Sequence, residues 1–175
     1  AISRMLRDEY ISKESFEFEA GGRLDALKIV FHRSEQAWVA GDSRKVIWIC
    51  HALTANSDPC DWWPQMVGEG RLLDTGKYFV VCVNMLASPY GSSGPSSINP
   101  DTGKPYYFDF PHVTVRDIVK ANELVRRHLG IDKIDIIIGS SIGGFQAIEW
   151  TIMYPQAISN AVFMATSARV TPWLT

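Results

Sequence analysis

GSSIGG at residues 139–144 follows the apolar run KIDIII at 133–138 and precedes a segment with a helical pattern. It fits G-x-S-x-G with Ser141 at the centre. A sharp strand-to-helix turn holds such a serine in strained backbone geometry, and the positions two before and two after it must be small so that strand and helix can approach. Gly139 and Gly143 meet this demand. The pattern predicts that Ser141 is a nucleophile projecting above a sheet.

Further apolar runs surround this turn in the chain. Continuous apolar runs are typical of parallel strands that are covered on both faces. The further apolar runs in this chain are VIWIC at 46–50, YFVVCV at 78–83 and AVFMA at 161–165. Between them, residues 115–129 place apolar side chains at three- and four-residue steps, and Gly130 follows as a left-handed cap. The order of strands and helices predicts an α/β fold with a mainly parallel sheet and helices on both of its faces.

The chain before residue 46 predicts an antiparallel start to the sheet. FEFE at 16–19 alternates apolar and acidic residues as an edge strand does, and LKIVFH at 27–32 begins a second strand. We expect these two segments to pair with each other. The stretch at 88–111, rich in Gly, Ser, Pro and Tyr, predicts a long loop, and loops of this length in compact domains are usually functional or mobile.

A second motif, HALTANSD at 51–58, follows the first parallel strand. Around a turn of this kind, one N–H for an oxyanion comes from the residue after the nucleophile and another from the loop after an early strand. Ile142 and Leu53 occupy these positions, and their backbone N–H groups would hold the oxyanion. Thr54 and Asn56 are candidates for substrate contact, and both residue types also cap turns. From the turn alone, an alternative interpretation stays open, in which the glycine-rich bend only packs closely or binds a phosphate. No G-x-G-x-x-G motif and no P-loop lysine is present.

Composition excludes several classes of function. The 175 residues carry 17 Lys and Arg against 19 Asp and Glu, without a run of one sign, so the footprint of a nucleic-acid binder or a polybasic membrane-surface protein is missing. No apolar run is long enough for a membrane span, and the charged first fifteen residues leave no apolar core for a signal peptide. Three cysteines without a CxxC pair indicate free thiols. We expect a cytoplasmic protein with small-molecule substrates and no metal site.

The predicted nucleophile has no complete set of partners within the 175 residues. The acid and the histidine follow the serine in this type of fold, yet the only acidic residue after Ser141 is Glu149, on the helix behind the turn. The four histidines all precede it, at His32, His51, His112 and His128. For His51 this chain order favours a role in buttressing the loop over a role as base. We therefore expect residues 1–175 to form the N-terminal half of one domain, with the acid and the histidine after Thr175.

Five strings in the same order resemble the bacterial homoserine O-acetyltransferases, which are acyltransferases of the α/β-hydrolase superfamily. The resemblance extends from about Phe16 to the C-terminus. The strings are HALTANSD (51–58), DWWPQMVGEG (61–70), YGSSGPSSINPDTGKPY (90–106), FP-x-VT-x-RDIV (110–119) and GSSIGG (139–144). The elbow has Ser140 and Ile142 where those enzymes typically have glycine and methionine. The resemblance implies an α/β-hydrolase fold, with the remaining strands, a lid, the catalytic acid and the histidine after Thr175.

The same resemblance implies a chemistry. Members move an acetyl group from acetyl-CoA, a co-substrate, to the hydroxyl of L-homoserine for methionine biosynthesis, through an acyl-serine intermediate and without a bound cofactor. It places the nucleophile on Ser141 and the oxyanion donors on Leu53 and Ile142, and it implies a homodimer. Succinyl-CoA as donor and serine as acceptor stay open. So do a serine esterase of the same fold and an inactive fragment or binding module.

Overall fold

Apolar runs form the central strands of the structure, a computed structural model that describes residues 5–51, 57–63, 65–87, 92–140 and 142–164. The strands are β1 Leu6–Ile11, β2 Phe16–Glu17, β3 Arg23–Leu24, β4 Lys28–Arg33, β5 Val46–Cys50, β6 Phe79–Val83, β7 Ile134–Ser140 and β8 Ile158–Met164. The helices are α1 Pro59–Trp62, α2 Val115–Leu129 and α3 Ile142–Met153, with 3-10 turns at Tyr107–Asp109 and Pro155–Ala157. Among the helices in these ranges, none has the length and apolarity that a bilayer crossing requires.

The sheet has six strands in the order β1-β4-β6-β5-β7-β8. β6, β5, β7 and β8 are parallel to one another, whereas β4 is antiparallel to both of its neighbours, β6 and β1. The chain leaves β5 toward β6 on one side and leaves β7 toward β8 on the other side. Ligands of such sheets bind beyond the carboxyl ends of the strands at the point where the connections diverge. In this sheet that point lies beyond the ends of β5 and β7.

Two apolar layers cover the two faces of the sheet. On one face α2 and α3 pack against the sheet, and the indole rings of Trp48 on β5 and Trp150 on α3 meet edge to face at 5.0 Å. The Trp48 Nε1–H donates to Asn122 Oδ1 of α2 at 2.8 Å, so the buried indole is satisfied. On the other face, α1 and the chain that follows it cover a smaller cluster. Its buried members are Met5, Ile47, Ile49, Val67, Leu73, Val80, Cys82 and Ile138.

Local signals define the ends of α2. Thr114 accepts from the Asp117 N–H at 3.3 Å, and Asp117 Oδ2 accepts from the Thr114 N–H at 2.9 Å, which is a capping box. Gly130 ends the helix with a φ of 75°, the left-handed geometry that glycine adopts without a steric penalty. The helix predicted at 115–129 and its glycine cap are therefore confirmed. Asp117 Oδ1 also accepts from the Glu19 N–H at 2.9 Å, which ties the start of α2 to the β2–β3 hairpin.

The predicted antiparallel start is wrong in its pairing. β2 pairs with β3 in a separate two-stranded sheet, and β4 pairs with β1. Gly21 and Gly22 have φ values of 109° and 88°, which allow the chain to turn back within a few residues, so β2 meets β3 before β4 begins. β1, LRDEYI, was not expected because its charged residues hide the strand pattern; it occupies the edge of the sheet, where charged side chains reach water.

Residues 161–164 of the apolar run predicted at 161–165 belong to strand β8. β8 is parallel to β7, but it lies at the edge of the described sheet, with Val162 42% exposed and Phe163 51% exposed. An apolar run identifies a strand without identifying its place in the sheet. The mainly parallel α/β sheet with helices on both faces is otherwise as predicted.

Candidate active site

The candidate site lies where β5 and β7 end side by side. Cys50, the last residue of β5, is the register partner of Gly139 in β7. The chain continues from β5 into His51, and from β7 into α3, which begins at Ile142. The two segments that carry the sequence motifs therefore leave the sheet from adjacent positions, on the side where ligands of parallel sheets bind.

Three backbone segments meet at this point with no room for side chains. A Cβ on Gly143 would lie 2.1 Å from the Cys50 carbonyl oxygen and 2.7 Å from the Cys50 carbonyl carbon. A Cβ on Gly139 would lie 2.6 Å from the Gly143 oxygen and 2.7 Å from the Gly144 Cα. The smallness that the motif demands at both glycines is thus present in the structure, because any larger residue would push α3 away from β5 or β7.

The predicted site residues divide into two groups. Ser141, Leu53, Thr54 and Asn56 lie outside the described residues. Ile142 is described, and it is the first residue of the twelve-residue helix α3. The first N–H groups of a helix have no partner within the helix, and the helix dipole favours negative charge there. The N–H of Ile142 lies at this end of α3, next in the chain to Ser141, and its role as an oxyanion donor stays a prediction.

The segment between His51 and Ser57 is anchored at both ends. At its start, Gln146 of α3 donates from Nε2 to the His51 carbonyl oxygen at 3.3 Å. At its end, Ser57 Oγ and His32 Nδ1 of β4 share a hydrogen bond of 2.7 Å, and Ser57 is fully buried. Asp58, the next residue, caps α1 by accepting from the Cys60 N–H at 3.1 Å. The two residues that flank the predicted oxyanion loop, His51 and Ser57, are therefore bound to α3 and to β4 respectively.

His32 itself lies in an environment that disfavours its charged form. Burial lowers the pKa of His32 below its ordinary value, the nearby Arg7 acts in the same direction, and Asp58 opposes both. The neutral imidazole is the form that the fold supports. His32 therefore serves the Ser57 anchor as an uncharged hydrogen-bonding group.

The segment after β6 also closes onto the sheet. Ser92 donates from Oγ to the Asn84 carbonyl oxygen at 3.0 Å and accepts from the Val30 N–H of β4 at 3.0 Å. One residue further, Ser93 Oγ accepts from the Lys28 N–H at 2.9 Å. The described part of the loop predicted at 88–111 is thus fastened to β4, so it borders the carboxyl end of β6.

Two other reactive side chains near this region are not suited to the chemistry. Cys50 is buried at the end of β5, and burial raises its pKa to about 12, so the thiolate needed for a nucleophile does not form near neutral pH. Glu149 lies about 10 Å along α3 from Ile142 at 1.5 Å per residue, and it faces Arg116 with Oε2 3.9 Å from Nε. The structure therefore agrees with the expectation that Glu149 does not support a base above the sheet.

The remaining histidines occupy different places. His51 is 1% exposed, directly after β5, and its role as a buttress stays a prediction. His128 is near the end of α2 and stacks on Tyr10 at 4.5 Å. α2 leads into the start of β7, and Ile142 follows the end of this strand, which is about 20 Å long. His128 therefore lies at the opposite end of the strands from Ile142.

Sequence reasoning missed Gln146 and the pair His32 and Ser57. Gln146 is a polar residue in an otherwise apolar stretch, GGFQAIEW, and that contrast is a signal for a buried polar contact. The contact between His32 and Ser57 joins residues 25 positions apart on different elements, and it has no local signal.

Comparisons with known proteins give a consistent result. Residues 45–175 match the family described as alpha/beta hydrolase fold. Homoserine O-acetyltransferase of Cyclobacterium marinum is 39% identical over 170 residues, which make up 97% of this chain and 48% of the relative. The solved homoserine O-acetyltransferase from Bacillus anthracis superposes with a TM-score of 0.80 at 28% identity, over 92% of this chain and 47% of that one. Esterase E22 superposes with a TM-score of 0.77 at 32% identity, over 88% and 45%. The chain spans about half the length of the curated relatives it matches.

Proposed function

Because the chain belongs to the α/β-hydrolase family, we propose that it carries the nucleophile and oxyanion hole of an O-acyltransferase that acts on homoserine. The observation that supports the proposal is the close packing of α3 against the end of β5. Only glycine fits at position 143, because an added Cβ would lie 2.1 Å from the Cys50 carbonyl oxygen. This packing joins the start of α3, the helix that follows Ser141 in the chain, to the end of β5, from which the chain continues toward Leu53. It supports a shared site for a nucleophile and its oxyanion donors.

The proposed reaction has two halves. Ser141 Oγ attacks the thioester carbonyl of acetyl-CoA and gives its proton to a base, while the N–H groups of Leu53 and Ile142 hold the oxyanion. The C–S bond then breaks, and the CoA sulfur takes the proton. In the second half the homoserine hydroxyl attacks the acyl-serine, its proton passes through the base to Ser141, and O-acetylhomoserine leaves. Thr54 and Asn56, in the same loop as Leu53, are proposed to contact the substrate.

The base and the acid of this mechanism are proposed to lie in sequence that follows Thr175 in the intact protein. No Asp or His follows Ser141 in the 175 residues, and the relative from Cyclobacterium marinum is about twice as long as the matched segment. In α/β-hydrolases both groups come after the nucleophile in chain order.

The choice of reaction is supported by the relatives' names. A homoserine O-acetyltransferase is 39% identical to this chain over 97% of its length, whereas the superposed esterase E22 is 32% identical over 88%. A serine esterase is therefore the second candidate, because the two kinds of solved structure superpose about equally well. Transfer differs from hydrolysis in that water is excluded until the acceptor binds. Acetyl-CoA as donor, homoserine as acceptor, a place in methionine biosynthesis, a homodimer and a cytoplasmic location all belong to the proposal.

The test measures release of free CoA by the intact protein. Acetyl-CoA and succinyl-CoA are each supplied with homoserine, with serine or with no acceptor. We expect rapid release only with acetyl-CoA and homoserine together, and mass spectrometry should find O-acetylhomoserine. Equal release without an acceptor, together with fast hydrolysis of p-nitrophenyl acetate, would favour the esterase. No release under any condition would contradict the proposal.

The role of Ser141 is tested with a matched pair of variants. Ser141→Ala should abolish CoA release, because no nucleophile remains to accept the acyl group. Ser140→Ala removes a hydroxyl from the neighbouring position and should retain most of the activity. The mechanism is wrong if Ser141→Ala retains full activity, or if both variants lose it equally.

A further inference from the structure

The amide of Gln146 occupies the junction between the helix after the nucleophile and two loops at the carboxyl edge of the sheet. Its side chain is 3% exposed on α3, and its Nε2 group lies 3.3 Å from the His51 oxygen and 3.4 Å from Met85 Sδ. A polar amide is expensive to bury unless it forms hydrogen bonds. The site therefore holds this side chain for its donors rather than for its volume.

The carbonyl that Gln146 binds is the last described atom group before the loop with Leu53. His51 directly follows β5, and Leu53 comes two residues later. The Gly143 backbone touches the Cys50 carbonyl on the same short segment. From the far side, His32 holds Ser57 at 2.7 Å. Gln146 makes its contact with this segment through a side chain of α3.

The helix that carries Gln146 is also the helix that begins next to Ser141. An oxyanion donor works only within about 2.7–3.1 Å of the developing charge, so its position relative to the nucleophile must be fixed to a fraction of an ångström. A hydrogen bond from the second turn of α3 to the His51 carbonyl fixes that separation through one rigid element. Without it, the packing of Gly143 still holds the end of β5 near α3, but the hydrogen bond from α3 to the His51 carbonyl is lost.

We propose that Gln146 is a positioning residue that sets the Leu53 N–H against Ser141 by holding the His51 carbonyl. The inference rests on the proposed function, because it presumes that Ser141 is the nucleophile and Leu53 an oxyanion donor. A displaced oxyanion donor stabilises the transition state less well and leaves substrate binding unchanged. The signature of Gln146 is therefore an effect on kcat with little effect on KM.

The first variant is Gln146→Met in the intact protein. Methionine is similar in size to glutamine, and it has no donor. We expect kcat for CoA release to fall about 10- to 100-fold, below the loss of about 10²–10³-fold that follows removal of a whole oxyanion donor. The KM for acetyl-CoA should stay within about twofold. Gln156→Met makes the same chemical change at an exposed position and should leave both constants unchanged.

The second variant, Gln146→Glu, gives a readout that a merely structural role would not move. The ionised carboxylate cannot donate to the His51 oxygen, but the protonated acid can, and burial raises the pKa of a glutamate into the accessible range. The ratio of variant to wild-type kcat should therefore rise several-fold as the pH is lowered from about 8 to about 6. Gln146→Glu also tests the positioning role if Gln146→Met does not fold.

The outcomes separate the two claims. If Ser141→Ala is inactive while Gln146→Met keeps its kcat within twofold, the positioning role is wrong and the proposed function stands. A rise in KM alone, or a flat activity ratio for Gln146→Glu across the pH range, also overturns the positioning role. If Ser141→Ala stays active, the proposed function fails, and the role of Gln146 fails with it.

Discussion

The substitution Gly143→Ala should damage both the stability and the activity of the intact protein. A Cβ at this position would lie 2.1 Å from the Cys50 carbonyl oxygen, whereas real Cβ atoms essentially never come within 3.0 Å of such a neighbour. The start of α3 and the end of β5 must therefore move apart by about 0.9 Å or more. Both contacting groups are backbone, so no side-chain rotation relieves the clash.

The magnitude follows from this displacement. Overpacking of a well-packed site costs about 1–3 kcal/mol of the free energy of unfolding, and a clash between backbone groups belongs at the upper end. Moving a catalytic group by about 1 Å costs about 100-fold in rate. We expect urea denaturation to show the first loss, and steady-state CoA release with acetyl-CoA and homoserine to show the second.

The matched control is the adjacent Gly144→Ala. The nearest atom to a Cβ at that position is Phe163 Cδ1 at 3.8 Å, an ordinary van der Waals contact. Alanine at a compatible helical position stabilises a protein by about 0.4–1 kcal/mol, so this variant should be at least as stable as the wild type and nearly as active. If Gly143→Ala matches Gly144→Ala in both assays, the close approach of helix and strand is not what builds the site.

Two further predictions concern buried polar groups. Asn122→Leu leaves the Trp48 indole N–H without its acceptor and should lower the free energy of unfolding by about 1–3 kcal/mol in urea titrations. A second change, Trp48→Phe, should recover part of this loss. A double variant that is less stable than Asn122→Leu would contradict the reasoning. For His32, burial and Arg7 lower the pKa below the ordinary value of 6.5 despite Asp58. The unfolded chain then binds a proton that the folded chain does not, so stability should fall as the pH drops below about 6.5, and it should fall less in His32→Gln. Equal pH dependence of stability in the two proteins would refute this.

The central part of the fold could be predicted because its signals are local. β5 is buried along its whole length, and an unbroken apolar run such as VIWIC is what such a strand requires. α2 carries its own start signal in Thr114 and its own end signal in Gly130. These features depend on residues within a few positions of one another, so a single sequence contains the information.

The candidate site was predictable to the same extent. The demand for glycine at 139 and 143 is steric and belongs to the motif itself, and in the structure a Cβ added at either position would lie within 3 Å of backbone atoms. The anchors of the oxyanion loop were not predictable, because Gln146 meets His51 across 95 positions and His32 meets Ser57 across 25. A residue type does not reveal which distant carbonyl or hydroxyl it will face.

The sequence by itself determined the apolar runs of the sheet, the caps of α2 and the glycine-flanked serine, because each depends on backbone conformation and burial over a short stretch. Only the tertiary structure decided that β4 pairs with β1 and that Cys50 ends beside Gly139. Strand pairing is a choice among many segments with similar propensities, and packing of the whole chain makes that choice. The same packing places Gln146 against His51. The proposed nucleophile is therefore visible in the sequence, whereas the residue proposed to position its partners is not.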